Sequence, residues 1–75
     1  MLTTYAVVAC FFINNTTNRA AYRVNGVATY LTYTDYGDKL EYSKPIPKFL
    51  WPATRSAEAK LRAGKSGPKT AKACV

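Results

Sequence analysis

The sequence predicts a small α+β domain: an antiparallel β-meander of about four strands, one short C-terminal helix and a basic tail. Three observations carry this. Residues 3–13 are dominated by β-branched and aromatic types, Asn25-Gly26 sits between two alternating apolar runs, and seven of the eleven cations fall in residues 48–75. Only Glu58 opposes those seven, which leaves a net charge of +6 there and +1 in residues 1–47. A nearly neutral, aromatic-rich body with a cationic end seeks anions.

The first element is the run Thr3–Ile13. Tyr5, Val7, Ala9, Phe11 and Ile13 lie on one face, and Ala6, Val8, Cys10 and Phe12 on the other. Apolar residues on both faces mark a central strand, or a strand with one face in an interface. Asn14-Asn15-Thr16-Thr17-Asn18 follows as a turn cluster.

Asn-Gly readily adopts the positive φ values of a two-residue hairpin turn. That loop pairs Val24 with Val27, Tyr22 with Thr29 and Ala20 with Leu31. Ala20, Tyr22, Val24, Val27, Leu31 and Tyr33 then share a core face, while Arg19, Arg23, Ala28, Tyr30 and Thr32 look outward. Asp35-Tyr36-Gly37-Asp38 is the next turn. A four-residue loop there pairs Tyr33 with Leu40 and Leu31 with Tyr42, which keeps the apolar set on one face. The fourth strand, Lys39–Ser43, stops before Pro45-Ile46-Pro47, since proline cannot donate to a ladder.

Ile46, Phe49, Leu50 and Trp51 form an extended apolar clasp over one sheet face. Thr54 is placed to cap a helix from about Arg55 to Ala63, which Gly64 stops. The remainder is small, polar and basic, so residues 1–64 are expected as one domain and residues 65–75 as a flexible basic tail. About sixty residues build the core, near the lower limit for folding alone, so self-association or a larger complex is a reasonable aid.

Cys10 lies in the apolar run and Cys74 next to the last residue, and two cysteines make no disulfide framework. Free thiols in a cytoplasmic protein are the expectation. The nine-residue apolar run Tyr5–Ile13 is far short of the roughly twenty residues a membrane helix needs. No Lys or Arg precedes it, and the basic segment has no wide apolar helical face for a membrane surface.

Composition argues against enzyme chemistry. The chain has no histidine, the commonest general base and metal ligand, and four carboxylates. Asp35 and Asp38 are explained by the turn they occupy. Gly64-Lys65-Ser66 echoes the end of a phosphate-binding loop, but Ala59 stands where its first glycine belongs. Neither metal nor cofactor is expected.

Binding remains, and the expected partner is a polyanion, nucleic acid first and an acidic protein surface second. Arg55, Lys60, Arg62, Lys65, Lys69 and Lys72 supply phosphate charge from the helix and tail. Arg19, Arg23 and Tyr30 form a second patch on the outward hairpin face, an aromatic platform with cations beside it. The alternative is a protein-binding inhibitor, adaptor or assembly subunit that uses the first strand and Phe49-Leu50-Trp51 as anchors. Small size, basic charge and the lack of catalytic residues resemble phage accessory, ribosome-associated and virion proteins in composition only.

Overall fold

The computed structural model describes residues 8–64 and 70–75. These form a five-stranded antiparallel sheet with one helix against one face: β1 (Ala9–Asn14), β2 (Arg19–Val24), β3 (Val27–Asp35), β4 (Leu40–Tyr42), a 3₁₀ turn at Lys48–Leu50, α1 (Trp51–Ala63) and β5 (Thr70–Cys74). The spatial order is β4-β3-β2-β1-β5. The α+β class is as expected, with one strand more than about four. The part of the first strand before residue 8 lies outside the described residues.

The local turns follow their residues. Asn25 and Gly26 take φ of 50° and 85°, and Val24 pairs with Val27, Tyr22 with Thr29 and Ala20 with Leu31 as expected. Asn25 also ties the hairpin tip to the entry of β1: its N–H donates to the Val8 carbonyl at 2.8 Å, and its Oδ1 accepts from the Val8 N–H at 3.0 Å. In the β1–β2 turn Asn18 is left-handed and Asn14 Oδ1 accepts from the Thr16 N–H at 2.9 Å.

The β3–β4 register differs from the expected one by two residues. Tyr33 pairs with Tyr42 and Asp35 with Leu40, so the four-residue loop is 36–39. A slip of two preserves the face of every side chain, so apolar alternation does not distinguish the two registers. Asp35 decides it locally, because its Oδ1 accepts from the Gly37 N–H at 2.8 Å and Gly37 holds φ of 88°.

The clasp is more helical than expected. After the 3₁₀ turn, α1 begins at Trp51 rather than near Arg55, with Pro52 in its first turn where a missing N–H costs nothing. Thr54 is therefore inside the helix and is not its cap. It is buried, and its Oγ1 donates to the Leu50 carbonyl at 2.9 Å. Gly64 ends the helix as expected, in extended conformation.

Residues 70–75 are not a tail. Thr70–Cys74 pairs with β1 from Asn14↔Thr70 to Cys10↔Cys74. Its alternation is built on alanine: Ala71 and Ala73 are buried against α1, while Thr70, Lys72 and Cys74 face away. Residues 65–69 of the expected tail lie outside the described residues.

Cys10 and Cys74 form a disulfide, which overturns the expectation of free thiols. The Val75 N–H donates to the Ala9 carbonyl at 2.9 Å, so Cys10 and Cys74 occupy a non-hydrogen-bonded position of the ladder. There the two side chains of an antiparallel pair approach most closely. The bond spans a sequence separation of 64, a loop whose closure is worth about 4 kcal/mol in the chain-entropy picture. A staple of this kind supplies stability that a core this small needs.

The core sits between α1 and the sheet. Phe11, Ile13 and Leu50 are fully buried, with Ala53, Ala57 and Leu61 forming the inward stripe of the helix. Tyr42 packs edge-on to Phe11, and its hydroxyl donates to Glu58 Oε2, which fixes β4 to α1. No helix among the described residues is long and apolar enough to cross a membrane.

Candidate functional site

Because α1 covers one face of the sheet, the residues of opposite parity are left on an open face. Register aligns them in rows across the strands. The middle row runs Lys72, Phe12, Ala21, Tyr30 on β5, β1, β2 and β3. Toward the hairpin tip lies the row Cys74, Cys10, Arg23, Ala28. On the other side lies Thr70, Asn14, Arg19, Thr32.

The middle row has a definite relief. Tyr30 is 67% exposed, Phe12 is half-buried, and Ala21 between them is a single methyl, so β2 is the floor of a trough. Two adjoining hollows on this face share Phe12, Ala21, Tyr30 and Lys72 as walls, and the larger encloses about 660 Å³. Lys72 Nζ stands 5.3 Å from the centroid of the Phe12 ring. Arg19 and Arg23 flank Ala21 along β2, both exposed. Four strand residues separate them by about 13 Å.

The acid that shares this face, Glu41 on the β4 edge, pairs with Lys39 at 3.3 Å. Among the described residues, the open face thus presents two aromatic rings and three cations around a small-residue floor. Such an arrangement can stack flat rings and neutralise phosphates.

The expected site residues that the structure describes divide into two groups. Arg19, Arg23 and Tyr30 do come together, and Lys72 joins them from β5 rather than from a tail. Arg55, Lys60 and Arg62 are exposed on α1, in the opposite layer. Lys60 reaches round the sheet edge, and its Nζ donates to the Lys72 carbonyl at 3.1 Å. Lys65 and Lys69 lie outside the described residues.

Sequence reasoning missed Phe12 and Ala21 as parts of this face. Phe12 was visible on the second apolar face of the first strand. Only the β1–β2 register sets it level with Ala21 and Tyr30.

The second candidate surface changes more. Leu50 is 0% exposed and belongs to the core, so it is not available as an interface anchor. Phe49 and Trp51 are about half-exposed on either side of it. The Trp51 Nε1–H donates to the Ile46 carbonyl at 2.9 Å, which closes the strap 46–51 on itself. Lys48 Nζ lies 5.8 Å from the Trp51 ring.

No family model, curated protein or solved structure matches the chain.

Proposed function

We propose that the protein is a non-catalytic nucleic-acid-binding module whose contact surface is the open face of the sheet. One observation carries the reading: the row Lys72, Phe12, Ala21, Tyr30, flanked by Arg19 and Arg23 on the face that α1 leaves bare. Aromatic rings give sequence-tolerant stacking, and cations around them give the phosphate attraction. The chain's net charge of +7 adds long-range steering, with Arg55, Lys60 and Arg62 contributing from the far layer. Contact through the helix and tail gives way in this reading to contact through the sheet. Because the thiols are paired, the reading is of a protein working where disulfides persist rather than in the reducing cytoplasm.

The test is binding of labelled single-stranded and duplex oligonucleotides between about 50 and 200 mM salt. The triple variant Arg19→Ala, Arg23→Ala, Lys72→Ala is expected to weaken binding at least tenfold and to lower the salt slope by about two. Arg55→Ala with Arg62→Ala is expected to change affinity about twofold or less, through the general field alone. Absence of binding at the lowest salt, or a larger loss in the helix variant, defeats the reading.

A protein partner is the second reading, favoured by the half-exposed Phe49 and Trp51, which flank buried Leu50 on the strap. A binding partner lost on Trp51→Ala but retained by the triple variant would put this reading ahead.

A further inference from the structure

On the reading just given, we propose that the stretch of the trough above Ala21, where the two hollows adjoin, is a slot for a single unstacked base, held between Phe12 and Tyr30, so that the face prefers single strands to duplex.

The spacing is set by the register. Phe12 and Tyr30 flank Ala21 on the neighbouring strands, one to each side. Strands lie about 4.8 Å apart and side chains stand roughly perpendicular to the sheet. A planar ring seated over β2 therefore lies about 4.8 Å from each aromatic column. Offset-stacked rings have centroids about 4.5–7 Å apart, so both neighbours fall at stacking distance.

Ala21 makes the slot possible. Any longer side chain at that position projects between the two rings and occupies the space. Lys72, the register partner of Phe12 on β5, holds its ammonium over that ring at 5.3 Å, so the β2 side is the one left for a base.

Charge completes the recognition. Arg19 and Arg23 precede and follow Ala21 on the same face of β2, so the phosphates on both sides of an inserted base meet a guanidinium. A duplex keeps its bases paired and stacked inside, and the slot has nothing to hold. The occupant is thus a nucleotide segment with a freely swung base, and the contact with the base is by stacking and is sequence-tolerant.

The experiment compares a thymidine oligonucleotide of about ten residues, an abasic oligomer of the same length and a duplex. Wild-type protein is expected to bind the thymidine strand about tenfold more tightly than the abasic strand. Ala21→Leu is expected to remove that difference while leaving the salt slope unchanged, because the cations remain. Tyr30→Ala, at an exposed position that does not threaten the fold, is expected to act in the same direction. It serves as the test if Ala21→Leu alters the melting profile.

Equal binding of thymidine and abasic strands, with the salt slope still lowered by Arg19→Ala and Arg23→Ala, overturns the slot and leaves the open-face reading standing. Failure of every oligomer to bind at low salt removes both.

Discussion

Lys72 and Phe12 are register partners on β5 and β1, and the lysine ammonium lies 5.3 Å from the centre of the phenyl ring. The contact makes the open face depend on β5, the strand farthest along the chain. That strand is held by the ladder to β1, by Ala71 and Ala73 against α1, and by the Cys10–Cys74 bond.

Reduction, or Cys10→Ser with Cys74→Ser, is expected to lower stability by about 2–4 kcal/mol, read from denaturant midpoints. The loss is also expected to be local. Ala71 and Ala73 occupy the hydrogen-bonded positions of the β1–β5 ladder, so their amides should lose exchange protection before those of β2 and β3. Equal protection of all strands in the reduced protein would mean that the ladder and helix alone retain β5.

The contrast between β2–β3 and β5 explains what could be read in advance. The hairpin is written in adjacent residues, since Asn25-Gly26 dictates the turn and the turn dictates the register. Arg19, Arg23 and Tyr30 were therefore found together from sequence. Strand β5 has no such local author. Ala71 and Ala73 carry little strand preference, and their partners Ile13 and Phe11 are about sixty residues earlier. The same distance hid the disulfide. Thr54 differs from its expected role for another reason: a threonine before a helical run suits a cap, and Trp51-Pro52 starts the helix one turn sooner.

Leu50 and Phe49 are neighbours with opposite environments, fully buried and about half-exposed. Leu50→Ala is expected to cost about 3 kcal/mol by leaving a cavity between α1 and the sheet. Phe49→Ala should cost about 1 kcal/mol or less. Thermal or denaturant unfolding of the two variants separates them, and equal losses would show that the strap 46–51 contributes to the core throughout.

Gly26 has open space around the position a Cβ would take, so sterics with neighbours do not constrain it. Its φ of 85° does. Gly26→Ala is expected to cost about 1–2 kcal/mol through backbone conformation alone, without a change in the β2–β3 pairing. Gly26→Asn should recover part of that loss, because asparagine tolerates the left-handed region. If both substitutions cost the same, the turn is held by something other than its intrinsic preference.

Tyr42 links pH to stability through the sheet–helix contact. Burial, then the hydrogen bond to Glu58 and the charge of that carboxylate, and finally Tyr33, hold its hydroxyl well above the ordinary tyrosine value of 10.0, with Arg62 opposing. Tyr33 is raised in the same direction, by burial and by Asp35. The folded chain therefore keeps a proton that the unfolded chain gives up. Below about pH 10 both states hold it and the contribution is fully present. Above that, stability falls as pH rises, by at most about 1.4 kcal/mol per pH unit for one proton and by less for a half-buried hydroxyl. Tyr42→Phe is expected to lose about 1 kcal/mol at neutral pH with the hydrogen bond, yet to decline more gently between about pH 10 and 11. Denaturant midpoints measured across that window give the comparison. Parallel declines for the variant and the parent would mean that the alkaline loss arises elsewhere, with Tyr33→Phe as the next variant to measure.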